Sequence, residues 1–281
     1  MYKYILDARP GEDKIELIDS RIRALHISTH NSFCEFDGEN LLDHHELMSL
    51  SREVGADFNY LPEEFDPAEV KLVISDMDST FINIECIDEI ADFAGKKAQV
   101  SAVTEAAMRG ELDFAQSLTQ RVALLKGLSV DVLNTVFAER LRLNSGAEVM
   151  LAGLKNHDIK FALVSGGFTY FTSKLMEKYR LDYSRANELK IEEGHLCGSV
   201  NGQIVDAAVK QQYLETLCAE LGISTRQAMA VGDGANDLKM MSVAGLGVAY
   251  HAKPKVQQEA GCMINLGGLD GLLSLLGLNK P

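Results

Sequence analysis

Asp76-Met77-Asp78-Ser79-Thr80 follows a short apolar run, Lys71-Leu72-Val73-Ile74-Ser75. Two carboxylates two residues apart at the end of a buried strand fall on the same side of the chain. Like charges so close repel, which raises one pKa unless a cation intervenes. A divalent cation relieves the repulsion, and Mg²⁺ takes oxygen ligands from a few carboxylates and a substrate phosphate. One carboxylate can then serve as nucleophile and the other as general acid/base. Taken alone, the pair could equally cap the helix that follows.

Three further groups of residues stand at comparable places. Ser165-Gly166-Gly167 closes a second apolar run, Ile159 to Val164. A hydroxyl beside unhindered backbone N–H groups before a helix binds phosphate. Lys210 opens a later helix, where its cation could neutralise nucleophile and phosphate oxygens. Gly232-Asp233-Gly234-Ala235-Asn236-Asp237 closes a third run, Ala228 to Val231. Two carboxylates and an amide among glycines suit a metal site that the backbone must approach closely. Each group has an ordinary explanation: a βα turn, a solvated lysine, an N-cap aspartate. All of them together at strand ends do not.

The elements needed to hold such a set are strands alternating with helices. Leu246 to Tyr250 and Met263 to Leu266 are weaker strand candidates, and Thr169–Tyr179, Val209–Leu221 and Ala235–Ala244 read as helices. That alternation predicts an α/β fold with a parallel, Rossmann-like sheet. Residues 85 to about 144 contain no convincing strand and read as consecutive helices, with Leu133, Val136, Phe137 and Leu141 on one face. An insertion of that size predicts a helical cap over the C-terminal edge of the sheet, where open α/β sheets bind ligands. Asn201-Gly202, flanked by alternating residues, predicts a hairpin turn.

Length and charge divide the chain in two. At 281 residues it is long for one domain. Residues 1–70 carry 6 Lys/Arg against 16 Asp/Glu, and the remainder 21 against 25. The Pro-bounded acidic stretch 62–67 reads as a linker, placing a boundary near Val70 between a small N-terminal α+β domain (1–70) and a catalytic domain (71–281). Within the first segment, Tyr4-Ile5-Leu6 and Ala24–Ile27 suggest strands and Leu41–Val54 a helix. His26, His30, Cys34, His44 and His45 repeat no metal-ligand spacing.

The formal net charge of −14 argues against nucleic acid and anionic membranes as partners, since both need clustered Lys and Arg. Five widely spaced cysteines without a CxxC signal neither a disulfide framework nor a zinc site. With no signal-peptide-like start and no membrane-length apolar run, the expectation is a cytoplasmic protein.

The ordered set Asp76–Thr80, Ser165-Gly166-Gly167, Lys210 and Gly232–Met241 resembles the haloacid dehalogenase superfamily of phosphatases and phosphotransferases, over residues 71 to about 270. The helical insertion is similar to that family's C1-type cap. The resemblance implies that Asp76 is the nucleophile and Asp78 the general acid/base. It implies Mg²⁺ held by Asp76, the Asp78 backbone carbonyl and Asp233, with Asn236 and Asp237 in support. Ser165, Gly166 and Lys210 would hold the phosphoryl group.

Glu85, nine residues after Asp76, together with Met108, Phe114 and Arg121, resembles the branch of that superfamily acting on O-phospho-L-serine. There the Glu meets the substrate ammonium, the Arg its carboxylate, and the Met and Phe close over the site. The chemistry is sound in itself: a phosphorylated amino acid needs an anion for its ammonium, a bidentate cation for its carboxylate and a cover against water. Longer members carry N-terminal extensions, some of them amino-acid-binding ACT domains; residues 1–70 are short for one and match no such pattern. A sensing or homodimer-forming role is the expectation for them. The alternatives are a related small-molecule phosphatase, phosphotransfer to an alcohol such as homoserine, and amino-acid sensing through the first segment.

Overall fold

The computed structural model describes all 281 residues. The N-terminal part is built from β1 (Tyr2–Leu6), α1 (Glu12–Ile22), β2 (Ala24–Thr29), β3 (Cys34–Gly38), α2 (His44–Val54) and β4 (Phe58–Leu61). Its four strands form an antiparallel sheet in the order β2-β3-β1-β4, the ferredoxin-like βαββαβ arrangement. Helix α2 starts at a capping box in which Asp43 accepts from the Glu46 N–H and Glu46 from the Asp43 N–H. It buries Leu47, Leu50, Ser51 and Val54, one helical face.

A second sheet carries the predicted chemistry. β5 (Leu72–Ser75) is buried along its whole length. After it come α3 (Cys86–Phe93), α4 (Lys97–Met108), α5 (Phe114–Ala123) and α6 (Asp131–Thr135), a wide helical turn at Val136–Arg140, and α7 (Ala147–Asn156). The chain continues through β6 (Lys160–Phe168), α8 (Thr169–Tyr179), β7 (Tyr183–Glu192), β8 (His195–Asn201), α9 (Ala207–Leu221) and β9 (Ala228–Gly232). It ends with α10 (Leu238–Val243), β10 (Leu246–Tyr250), α11 (Pro254–Glu259), β11 (Cys262–Ile264) and α12 (Gly271–Leu275).

The strand order is β11-β10-β9-β5-β6-β7-β8, parallel except for β8. Chain order reverses beside β5: β6 and β7 lie to one side, β9 to β11 to the other. A crevice opens at such a switch point outside the carboxyl ends of the strands. All four predicted groups converge there. Leu133, Val136 and Leu141 pack into the large apolar cluster beneath.

Two local expectations are corrected. Asn201-Gly202 does not turn the hairpin. β7 and β8 are joined at Glu193-Gly194, whose φ values of 47° and 77° are those a two-residue hairpin loop needs, and Asn201 ends β8. Nor does Ser165-Gly166-Gly167 simply end a strand. The pairing of β6 with β7 jumps from Val164–Arg185 to Phe168–Asn187, so three residues of β6 bulge opposite one of β7. Bulges re-aim backbone beside active sites.

Candidate active site

Asp76 leaves β5 with its N–H still donating to the Val231 carbonyl of β9. Its carboxylate accepts from the Met77 N–H at 2.7 Å and from Lys210 Nζ at 2.8 Å. The wide turn Met77–Phe81 that follows is no regular helix: Asp78 is extended, and Ser79 takes φ 56°. This turn swings Asp78 back toward the cavity. Asp78 Oδ1 accepts the Cys86 N–H at 2.9 Å and Oδ2 the Ser165 hydroxyl at 3.0 Å. Burial raises the Asp78 carboxyl against the pull of these hydrogen bonds, the direction a proton donor needs.

Asp76, Asp233 and Asp237 bring one carboxylate oxygen each within 4.8 Å of one another. Lys210, fully buried, bridges Asp76 at 2.8 Å and Asp237 at 2.7 Å. Burial alone would lower the Lys210 pKa; the Asp237 and Asp76 charges outweigh it and hold the ammonium charged. Burial, then Asp237, raises Asp76, and Lys210 offsets only part of this. One ammonium among three carboxylates leaves a deficit of positive charge among hard oxygen donors, the chemistry of a divalent-cation site. Asp237 has both oxygens engaged, one by Lys210 and one by the Gly234 N–H at 3.1 Å. A Cβ at Gly232 would lie 2.4 Å from that carboxylate, so glycine is required for the approach.

The bulge in β6 forms the facing wall. The Gly167 N–H donates to Ser165 Oγ at 2.8 Å, and the Gly166 carbonyl accepts from Asn187 Nδ2 at 2.8 Å. Asn187, fully buried, also accepts the Val205 N–H and ties the bulge to the start of the next segment. The Phe114 ring stands over Gly166, where an added Cβ would lie 2.6 Å from Cζ.

Glu85, Asp88, Thr104, Phe114 and Arg121 complete a cavity of about 250 Å³ shared with Asp76, Asp78, Ser165, Gly166, Asp233 and Asn236. The Ser79 hydroxyl donates to Glu85 Oε1 at 2.7 Å. Glu85 is surrounded by protein but open to solvent on its cavity side. Crowding, then the Asp78 carboxylate, pushes its carboxyl up to about 7. A cation bound there would restore the ionised form. Burial lowers the Arg121 pKa, and Asp88, Glu85 and Asp78 oppose that.

Eleven of the twelve expected residues meet here, Lys210 and Asp237 forming the buried layer behind Asp76. Met108 does not. It is the last residue of α4, whose one buried residue is Val100 and whose Thr104 lines the cavity, and it is itself 73% exposed. Its spacing matches, but its helix face points to solvent.

Sequence reasoning also overlooked residues. Asn144 Nδ2 lies within hydrogen-bond reach of the Ser79, Thr80 and Ile82 carbonyls, at 3.4, 2.7 and 3.1 Å, and so fixes the turn that presents Asp78. The Thr80 hydroxyl donates to Asp233 at 3.2 Å. Lys253 stands at the cavity rim, and its N–H donates to the Asp233 carbonyl. No local spacing signals these. Asp88, in the first turn of α3 three residues after Glu85, is near in sequence to an expected residue but was likewise not singled out.

Comparison with known proteins agrees with this geometry. Residues 70–245 match the haloacid dehalogenase-like hydrolase family. The chain is 54% identical over 214 residues to a phosphoserine phosphatase of Polaromonas sp., covering 74% of this chain and 91% of that protein. A haloacid dehalogenase family hydrolase from Salmonella enterica serovar Typhi superposes with TM-score 0.88 at 34% identity, over 98% of this chain and 99% of that one. A probable phosphoserine phosphatase from Vibrio cholerae, in unliganded form, gives 0.85 at 37%, over 98% and 86%. The chain thus belongs to the haloacid dehalogenase-like hydrolases. Within that family its relatives are phosphoserine phosphatases.

Proposed function

We propose that this protein hydrolyses O-phospho-L-serine to L-serine and phosphate with Mg²⁺, the last step of serine biosynthesis. The observation that carries this is one cavity lined by the carboxylates Asp76 and Asp78 together with an anionic side chain, Glu85, and a cationic one, Arg121, suited to the two ends of an amino acid.

Asp76 attacks phosphorus in line, its oxygen forming the new P–O bond as the bond to the seryl oxygen breaks. Asp78 gives its proton to that departing oxygen. It then takes a proton from the water that attacks the aspartyl-phosphate, releasing phosphate and restoring Asp76. Ser165, the Gly166 N–H and Lys210 hold the phosphoryl oxygens as their charge redistributes. Asp76, Asp233 and the Asp78 carbonyl would hold the Mg²⁺, with Asp237 and Asn236 in support. Bound there, the ion supplies positive charge to the carboxylates and the phosphoryl group. Glu85 accepts from the substrate ammonium, and Arg121 meets its carboxylate with a fork of donors.

We take residues 1–70 as a unit distinct from the catalytic 71–281, and the helices at about 85–144 as a cap whose closure brings Phe114 over the site and excludes water. The outer strand β2, with Leu25 60% exposed, supports a homodimer through the first unit. Five free thiols support a cytoplasmic setting. No helix is long and apolar enough to cross a membrane.

The test is phosphate release from L-phosphoserine with Mg²⁺, beside phosphothreonine and simple sugar phosphates. Strong preference for phosphoserine, abolished by EDTA and by Asp76→Asn, is expected. Even activity across the panel would overturn the substrate, and full activity of folded Asp76→Asn the covalent route.

A further inference from the structure

Two polar atoms in the cavity are buried without any hydrogen-bond partner: Asp88 Oδ1 and Arg121 Nε. Buried polar groups are nearly always satisfied, and an orphaned donor and an orphaned acceptor of opposite charge on one cavity wall call for a common explanation. Both side chains line the pocket that holds Glu85 and Phe114. Asp88 lies in the first turn of α3, three residues after Glu85 at its N-cap, and Arg121 reaches across from α5.

Arg121 cannot hold a carboxylate tightly with its whole donor set free to rotate. A guanidinium presents five N–H donors in a rigid plane. A fork of two suits one carboxylate, and a second acceptor on another edge fixes the plane. Of the acids around Arg121, Asp88 acts on it most strongly, ahead of Glu85 and Asp78. Glu85 is already engaged by the Ser79 hydroxyl. An unpaired Asp88 would, moreover, repel an incoming carboxylate.

We propose that Asp88 is a positioning residue for substrate selection: it accepts the Nε–H of Arg121 when substrate binds, setting the guanidinium so that its outer fork meets the substrate carboxylate. Asp88 itself touches neither the phosphoryl group nor the ammonium. The inference rests on the reading that a phosphorylated amino acid is the substrate. Satisfying both buried atoms only in the complex couples binding of the carboxylate to formation of the pair. That makes the carboxylate a condition of tight binding, since buried polar groups left unpaired are what a site uses to reject an analogue lacking the matching group.

The experiment compares kcat/KM for O-phospho-L-serine with that for O-phosphoethanolamine, which keeps the ammonium and lacks the carboxylate, in wild type, Asp88→Ala, Asp88→Asn, Arg121→Ala and the Asp88→Ala/Arg121→Ala double variant. Asp88→Ala is expected to lose about tenfold or more on phosphoserine, mainly through KM, as for a hydrogen bond to a charged group. It should lose far less on phosphoethanolamine. In the Arg121→Ala background the same change should cost little more, because the pair acts as one unit. Asp88→Asn, which keeps an acceptor of the same shape, should lose less than Asp88→Ala. Comparable losses on both substrates, full additivity with Arg121→Ala, or equal loss in the Asn and Ala variants would each overturn the positioning role. A wild type that does not distinguish the two substrates would sink the substrate reading instead, and this inference with it.

Discussion

The division of labour we propose between Asp76 and Asp78 rests on what each carboxylate touches. Asp76 faces the Lys210 ammonium at 2.8 Å, which favours its ionised form and offsets part of the upward push of burial and Asp237. Asp78 has no cation at hydrogen-bond distance. It accepts one backbone N–H and one hydroxyl, and burial raises its pKa. Asp78→Asn preserves the shape and the Cys86 contact but cannot give or take the proton. We expect kcat on phosphoserine to fall about 10²–10⁴-fold, the usual worth of a positioned acid/base. The rapid release of nitrophenolate from p-nitrophenyl phosphate should fall much less, because that leaving group needs no proton. Equal losses in the two assays would remove Asp78 as the acid. The residues of this layer could be read in the sequence because charge, hydroxyl and glycine stand together at the ends of apolar runs. Asn144 and Asn187 could not, since each acts on backbone brought near only by the fold. Met108 shows the opposite failure: its spacing suited the site, but spacing does not say which way a helix end faces.

At the scale of elements, the site depends on two departures from regular structure, the wide turn after β5 and the bulge in β6. The parallel strands themselves were legible because buried strands are short apolar runs, and Leu246–Tyr250 and Thr169–Tyr179 fall where the pattern puts them. The departures were not, since nothing in Ser165-Gly166-Gly167 says that β6 resumes beyond it. In the N-terminal part, α1, β3 and β4 were missed; Cys34–Gly38 does alternate buried and half-buried residues, but with a cysteine and a glycine at two of its three inward positions the apolar signal is weak. The bulge makes a prediction that separates two adjacent glycines. A Cβ on Gly167 would lie 2.4 Å from Asp78 Oδ2 and 3.0 Å from Ser165 Oγ, so Gly167→Ala must displace the acid. A Cβ on Gly166 meets the end of the Phe114 ring, which can swing away. Gly167→Ala should therefore cut kcat by about a hundredfold, the scale of an ångström's misplacement. Gly166→Ala should act chiefly on KM by loosening the cover. Steady-state kinetics on phosphoserine would decide it, and the same kcat loss in both variants would count against the bulge as the device that aims Asp78.

Across the whole molecule, the first sheet is fastened to the far edge of the second. Asn59 of β4 pairs its side-chain amide with both backbone groups of Met263 in β11, at 2.8 and 2.7 Å, satisfying an edge strand that has no further neighbour. Asp57 receives three successive N–H groups, from Asn265 at 2.8 Å, Leu266 at 3.2 Å and Gly267 at 2.7 Å. Ile5, Phe33 and Leu61 join the apolar cluster of the larger sheet, so the seam is both polar and packed. No sequence pattern could reveal it, because its partners are some two hundred residues apart and owe their contact to the finished fold. From the seam the chain leads back to the site. The Gly267 carbonyl lies 3.0 Å from His251 Nε2, and two residues on, the Lys253 N–H holds the Asp233 carbonyl. Asp57→Ala leaves three N–H donors without their charged acceptor, and water can reach only some of them. The variant should lose about 2–3 kcal/mol of stability, on the scale of hydrogen bonds to a charged group, read as a lower urea midpoint. Its Mg²⁺ requirement should rise too, as the segment supporting Asp233 loosens, while Glu64→Ala, at an exposed side chain, leaves both unaltered. If Asp57→Ala matched wild type in urea midpoint and in Mg²⁺ dependence, the seam would be a passive contact, and the N-terminal sheet would have no mechanical hold on the catalytic carboxylates.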